Sequence, residues 1–268
     1  MDLQTNHVGS LEYLTASALQ GTAHCFSTRF GGVSTGDLAS LNLGVHRGDV
    51  YANVVENYAR LGKAVGFLPE QTVFTSQIHS DIVERVGCGE CGRGLLRPVD
   101  HGVDGLITNE TGVALTVFSA DCTPILFFDP QRRVIGAVHA GWRGTAAKIA
   151  AKAVAAMQEQ FGCRPEAIRA AIGPCIGSCC FETDGDVPDA MRKAMGAAAA
   201  PAITQTGEKY HVDLKLLNAI QLEQAGIRQI DIAKACTACQ PQRFWSHRRV
   251  GDRRGSLAAI IMLQGESL

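Results

Sequence analysis

The chain has 268 residues, with 25 Lys and Arg against 26 Asp and Glu, a formal charge of −1 and dispersed basic residues. That balance leaves no electrostatic footprint for nucleic acid or a membrane surface. No stretch approaches the roughly 20 apolar residues of a spanning helix, and the opening Met1-Asp-Leu-Gln-Thr-Asn-His-Val-Gly9 lacks the basic and apolar regions of a secretion signal. The expectation is a soluble cytoplasmic protein with a substantial core, whose ten cysteines are mostly reduced thiols buried as small hydrophobes.

In chain order, His24 to Thr28 predicts a strand, followed by two glycine-rich segments, Ser27-Thr-Arg-Phe-Gly-Gly-Val-Ser-Thr-Gly36 and Leu41-Asn-Leu-Gly-Val-His-Arg-Gly-Asp49. Neither contains the Gly-Lys-Ser/Thr of a phosphate loop, and Arg29 and Asn42 are the side chains there that could reach a ligand. Tyr51 to Val65 has helical spacing, with Gly66 to close it. Thr72 to Gln77, Ile82 to Val86 and Val113 to Ser119 read as strands, the last apolar enough to be covered on both faces. Thr123 to Phe128 and Val134 to Val138 read as a hairpin around the turn Asp129-Pro-Gln-Arg132. Thr145 to Phe161 is an alanine-rich helix stopped by Gly162, and Ala167 to Ile172 is a strand. Helices follow at Asp186 to Ala199 and at Asp213 to Gln224, the latter capped by Asp213, then strands at Gln229 to Ala233 and Leu257 to Leu263. Strands adjacent in sequence, with helices between some of them, predict a single α/β (α+β) domain over 1–268, built of layered mixed β-sheets flanked by helices.

The hairpin carries the chemistry. If Asp129 pairs with Arg132, paired residue numbers keep a constant sum and Cys122 falls directly opposite His139. Opposed residues share a face with Cβ atoms roughly 4.5–5.5 Å apart, which suits two ligands of one metal or a thiol with its base. His79, in Thr75-Ser-Gln-Ile-His-Ser-Asp81, follows a strand and is the best-placed third ligand. Three protein ligands with an open fourth position make the catalytic zinc pattern. A metal-free Cys122–His139 nucleophilic dyad is the competing chemistry, and a buried Cys beside a hydrogen-bonded core His is the bland reading. Downstream, Ala140-Gly-Trp-Arg-Gly144 sets two glycines around Arg143 just before a helix, where free N–H groups and a guanidinium would clamp an anion.

Other segments weigh less. Gly173-Pro-Cys-Ile-Gly-Ser-Cys-Cys-Phe-Glu182 is a tight loop in which Cys175 could be a ligand or nucleophile, although an inert buried thiol is the weightier reading. Cys88/Cys91 and Cys236/Cys239 could jointly form a zinc knuckle, but the long gap between the pairs argues against it. Phe244-Trp-Ser-His-Arg-Arg249 reads as a structural turn or substrate rim rather than a nucleic-acid patch.

Together, Ser27-Thr-Arg-Phe-Gly-Gly, Leu41-Asn-Leu-Gly, Gln77-Ile-His79, Asp104-Gly-Leu-Ile-Thr108, Ala120-Asp-Cys-Thr-Pro-Ile-Leu126, His139-Ala-Gly-Trp-Arg-Gly144, Gly173-Pro-Cys-Ile-Gly177, Cys236-Thr237 and Ser246-His-Arg-Arg249 resemble one family. It was once described as multicopper polyphenol oxidases or laccase-domain proteins and later as purine nucleoside phosphorylases. The pieces run nearly the full chain in family order, with one departure at His247, where many relatives carry Tyr. The resemblance implies zinc held by His79, Cys122 and His139. It implies phosphorolysis of adenosine, inosine and 5′-methylthioadenosine, with adenosine deamination in the same site. It also implies a layered α/β fold shared with some cysteine hydrolases, including a bacterial toxin deamidase.

A true multicopper oxidase needs roughly ten histidines, partly as His-x-His pairs; this chain has eight and no such pair, so copper is expected only adventitiously. For deamination, metal-activated water would attack C6 of adenine while a carboxylate carries the proton. Asp121 is the nearest candidate and Glu182 a weaker one, although strand alternation would turn Asp121 away from Cys122. Arg143 and Arg29 are the expected phosphate holders. A metal-free Cys–His hydrolase or amidase, and a non-catalytic nucleoside- or metal-binding protein, are the alternatives.

Overall fold

The structure is a computed structural model that describes residues 2–265. The chain opens with strands β1 (Gln4–Val8), β2 (Leu11–Thr15) and β3 (Thr22–Ser27), then helix α1 (Tyr51–Val65). Six strands follow: β4 (Thr72–Phe74), β5 (Val83–Arg85), β6 (Gly105–Thr108), β7 (Ala114–Ser119), β8 (Thr123–Asp129) and β9 (Val134–Ala140). Then come α2 (Trp142–Ala146), α3 (Ile149–Phe161), β10 (Arg169–Ile172), β11 (Glu182–Thr183), α4 (Asp186–Met195), β12 (Ile203–Thr206) and β13 (Lys209–Val212). The last elements are α5 (Leu214–Gln224), β14 (Gln229–Ile232), α6 (His247–Val250) and β15 (Leu257–Leu263). Among the described residues no helix is long and apolar enough to cross a membrane.

Two six-stranded mixed sheets stack face to face, ordered β1-β2-β3-β15-β7-β4 and β14-β10-β8-β9-β6-β5. The unbroken apolar runs are explained by burial on both faces. In β15, Leu257, Ala259, Ile261 and Leu263 fill the space between the sheets, while Ala258, Ile260 and Met262 pack beneath Val54, Tyr58 and Leu61 of α1. In β8, Leu126 and Phe128 face inward, and Ile125 and Phe127 face α3 and α5. Each fully buried aliphatic or aromatic side chain contributes roughly 1.5–3 kcal/mol, so these double-sided strands anchor the layers. The layered mixed α/β architecture expected from the sequence is therefore the one observed. A third sheet, β11-β13-β12, packs with α4 against Trp142 and Ala146.

Three local departures shape the site. The hairpin closes at Asp129↔Val134 rather than Asp129↔Arg132, because Arg133 takes φ 52° and Asp129 Oδ1 accepts the N–H groups of Gln131 and Arg132 at 2.8 and 3.0 Å. His139 thus pairs with Pro124, and Cys122 lies just beyond the ladder. A shift of two residues keeps every side chain on its own face, so Cys122 and His139 still project together. Second, the helix expected from Thr145 breaks at Lys148, which takes φ 62°. The Thr145 carbonyl accepts from Gln221 Nε2 at 2.8 Å, and Asn218 Nδ2 donates to its hydroxyl at 3.0 Å, so α5 supplies partners where the first helix stops. Third, β4 ends at Phe74, and the Gln77 side chain takes over the pairing by bonding both N–H and C=O of Phe118. The chain is thereby released from the sheet just before His79.

Candidate metal centre and cavity

His139 lies on the inner face of β9, in line with Ile135 and Ala137, and is 3% exposed. Its Nδ1 donates to Asp104 Oδ1 at 2.8 Å, which leaves Nε2 free to act as a ligand. Asp104, fully buried at the start of β6, also accepts the N–H groups of Ile78, His79 and Ser80 at 3.1, 3.1 and 2.7 Å and the Ser80 hydroxyl at 2.7 Å. Successive N–H groups converging on one carboxylate form an anion nest, and this nest holds His79 at φ 60°. Burial alone would raise the Asp104 pKa, but the bonds from His139 and Ser80 outweigh it and hold the carboxyl at about 2.

Cys122 Sγ lies 3.9 Å from His79 Nε2, and the His79 and His139 rings stand edge to face with centroids 4.9 Å apart. The three ligand atoms all fall within 4.8 Å of one another. A tetrahedral ion with Zn–S about 2.3 Å and Zn–N about 2.0 Å separates sulfur from nitrogen by roughly 3.5 Å, so small side-chain movements would seat it. Gly141 makes room: a Cβ there would stand 2.8 Å from His79 Cδ2 and 3.2 Å from Cys122 Sγ. Burial would oppose ionisation of Cys122, yet His139 and then His79 reverse this and lower its pKa, favouring the thiolate a metal needs. His139, which burial would lower, is raised by Cys122 and Asp104. Donor types, spacing and the glycine clearance all fit a zinc ion.

The centre opens into a cavity of about 290 Å³. Trp142, Ile176, Phe181 and Leu214 form its apolar wall, and Asp121, His247, Arg248 and Arg254 its polar one. Arg254 is half-buried; its Nη1 donates to the Gly255 carbonyl at 3.0 Å, and its Nε, closed off from solvent, has no hydrogen-bond partner. Burial and then Arg47 push its pKa down to about 10, which still leaves it cationic at neutral pH. A second cavity of about 410 Å³, lined by Arg47, Phe74, Gln77 and Phe118, contains none of the three donors.

Not every residue singled out in the sequence reaches this cavity. Asp121 does: its φ of 101° breaks strand alternation, so it lines the cavity with Cys122 instead of turning away. Its Oδ1 accepts from Thr237 Oγ1 at 2.6 Å and its Oδ2 from the Arg248 N–H at 2.7 Å. Arg143 is exposed and stacks on Trp142 at 4.3 Å, off the cavity lining. Arg29 is committed to the carbonyls of Ala39 and Pro241 at 2.7 and 2.8 Å and stacks on Trp245. Asn42 is fully buried, tied to Asp49, Gly44 and Ser256. Glu182 lies outside on β11, and Cys175 is fully buried, its thiol pushed up to about 12 by that burial. Arg254, and the role of Asp104, named above only at the head of the segment to Thr108, emerge only here. A charge opening an otherwise apolar strand was a usable hint for Asp104; Arg254, in the run Asp252-Arg253-Arg254, carried none.

The family described as multi-copper polyphenol oxidoreductase laccase matches residues 23–264. The purine nucleoside phosphorylase YlmD of Geobacillus stearothermophilus is 38% identical over 251 residues, covering 92% of each chain. The purine nucleoside phosphorylase YfiH of Escherichia coli is 36% identical over 245 residues, covering 91% of this chain and 95% of its own. The crystal structure of Geobacillus stearothermophilus YlmD superposes with a TM-score of 0.91 at 35% identity, covering 97% of this chain and 99% of that one. With its fold shared and its match running through nearly every element, this chain belongs to the multi-copper polyphenol oxidoreductase laccase family, whose relatives YlmD and YfiH bear the name purine nucleoside phosphorylase.

Proposed function

We propose that this chain is a zinc-dependent purine nucleoside phosphorylase acting on adenosine, inosine and 5′-methylthioadenosine, with adenosine deamination in the same cavity. The observation that carries the reading is the His79–Cys122–His139 cluster, of which His79 and Cys122 line a cavity with aromatic side chains on its wall and the cation Arg254; the names borne by the relatives give the substrate class. These three residues would hold the zinc, which when bound supplies a Lewis acid in a partly apolar pocket. Copper would also be tolerated by a thiolate–imidazole set, but three ligands of this kind make one mononuclear centre.

The remaining chemistry falls to the side chains. Trp142 and Phe181 offer flat faces to a purine ring. Arg254, a cationic side chain lining the cavity, replaces Arg143 and Arg29 as the residue that binds phosphate. A phosphate oxygen forms the new bond to ribose C1′ as the C1′–N9 bond breaks, its electron pair passing to the purine. Asp121, fixed by Thr237 and the Arg248 N–H, lies against Cys122 and is the carboxylate to carry a proton in deamination. Arg254→Ala is expected to raise KM for phosphate by at least about tenfold, the loss of one charge-assisted bond, as initial rates against phosphate concentration would reveal.

The deciding assay is product analysis of adenosine incubated with the purified protein, with and without phosphate. Adenine and ribose 1-phosphate only when phosphate is present, and inosine without it, are the expected products. No conversion under either condition would overturn the proposal. The Cys122–His139–Asp104 chain of contacts would then favour a cysteine hydrolase, stopped by thiol alkylation and indifferent to chelators.

A further inference from the structure

Four cysteines lie together outside the His79–Cys122–His139 centre, two in the loop after β10 and two in the loop after β14. Cys239 Sγ is 3.5 Å from Cys179 Sγ and 3.4 Å from Cys180 Sγ, and with Cys236 the four sulfurs all lie within 4.8 Å of one another. We propose that Cys179, Cys180, Cys236 and Cys239 form a second, structural zinc site of the all-cysteine type that staples together two loops walling the cavity.

The spacing selects the ligand. A tetrahedral zinc with Zn–S bonds of about 2.3 Å sets its sulfurs roughly 3.8 Å apart, within the range seen here. A disulfide requires sulfurs at about 2.0 Å, and all four thiols are free. In an iron–sulfur cubane each cysteine holds a different iron, which spreads the thiolates over a whole cluster; here one small ion fits between them. Hydrophobic packing does not account for the group either, since Cys179 and Cys239 are exposed and Cys180 is only half-buried.

The loops are already arranged as ligand arms. Cys175 and Cys236 form a parallel bridge, with the Thr237 N–H bonded to the Cys175 carbonyl at 3.0 Å. The Gly177 N–H donates to Cys236 Sγ at 3.1 Å, the contact that stabilises a thiolate. A Cβ on Gly177 would stand 3.2 Å from Cys179 Sγ and 3.3 Å from Cys236 Cβ, so the glycine clears the space. The knuckle suggested by the two Cys-x-x-Cys pairs is thus repartnered. Cys236 and Cys239 meet the Cys179-Cys180 pair, while Cys91 and Cys88 lie elsewhere, against the carbonyls of Gln71 and Thr111.

The consequence is control of the cavity wall. Ile176 and Phe181 flank the cysteine loop and line the cavity; Thr237, inside the other loop, holds Asp121; and Arg248 donates to the Cys180 carbonyl at 2.9 Å. Binding is a non-redox exchange: one Zn²⁺ and four thiols give a tetrathiolate of net charge −2 and release four protons.

The test is cobalt titration of the metal-free, fully reduced chain without oxygen, using wild type and Cys122→Ser. Two cobalt ions are expected per wild-type chain. Cys122→Ser should retain one with intense thiolate-to-cobalt charge-transfer and tetrahedral d–d bands, displaced by an equivalent of zinc. Cys239→Ser should lower zinc content from two ions to one. The readout is optical and stoichiometric, so it stands or falls apart from phosphorolysis. One ion per wild-type chain with no tetrathiolate spectrum, or a disulfide joining Cys239 to Cys179 or Cys180 in protein isolated with zinc, would overturn the site.

Discussion

Cys122→Ala is expected to lower kcat/KM for phosphorolysis by about a thousandfold or more, equivalent to about 4 kcal/mol of transition-state stabilisation. Two imidazoles facing a methyl group form a much weaker site than two imidazoles and a thiolate, so zinc content should fall by one ion per chain. Cys122 is only half-buried, beyond the end of the β8 ladder, and its truncation should cost about 1 kcal/mol of folding stability or less. Melting temperatures of the metal-free variant and metal-free wild type within a few degrees of each other, alongside lost activity, would therefore mark the effect as chemical. Full activity in a metal-free Cys122→Ala protein would contradict the metal assignment.

Asp104→Ala is expected to act on stability and on the site together. It removes the acceptor for three backbone N–H groups, the Ser80 hydroxyl and His139 Nδ1 from a fully buried position. Stranding those donors should cost roughly 3–5 kcal/mol and lower the melting temperature by roughly 10 °C. Because the same carboxylate orients His139 and holds the His79 loop, zinc affinity should also drop about 10–100-fold.

The pH dependence has a definite sign. The Asp104 carboxyl is depressed to about 2 in the folded chain, against about 3.9 when unfolded. Its contribution is therefore complete above about pH 4 and lost as the pH falls through about 2, a change of about 2 kcal/mol. His139 has a raised pKa and stays protonated throughout that window, so it adds no slope there. Denaturant unfolding of metal-free wild type and Asp104→Ala at pH 6 and pH 2 should show their difference shrinking in acid. An equal difference at both pH values would rule out the ionised Asp104 hub.

Much of the layering was legible before the fold was known. The β15 run was read from Leu257 to Leu263 and the hairpin strands nearly so, because continuous apolar segments admit few alternatives to double-sided burial. The Asp213 cap was also legible, since its side chain accepts the Leu216 N–H by a purely local geometry. Strands β1, β2, β6, β11, β12 and β13 were not expected from the sequence: β1, β12 and β13 are mostly exposed and polar with no apolar alternation to detect, and β2, β6 and β11 are runs of only two to five residues. The pairing of Cys122 with His139 survived a mistaken register only because the error was two residues.

The donors themselves are written in the chain: which thiol and which imidazoles are available, and the apolar strands that bring Cys122 and His139 to one face. Tertiary structure alone decided which cations reach the cavity and which cysteines meet. Arg29 and Asn42 were drawn into loop-bracing networks, Arg254 arrived in the cavity from far along the chain, and the Cys236/Cys239 pair found Cys179 and Cys180 rather than Cys88 and Cys91. The physical reason is range. Burial patterns and caps depend on neighbours a few residues away, whereas these side-chain encounters depend on where loops some 60 residues apart are carried by the sheets.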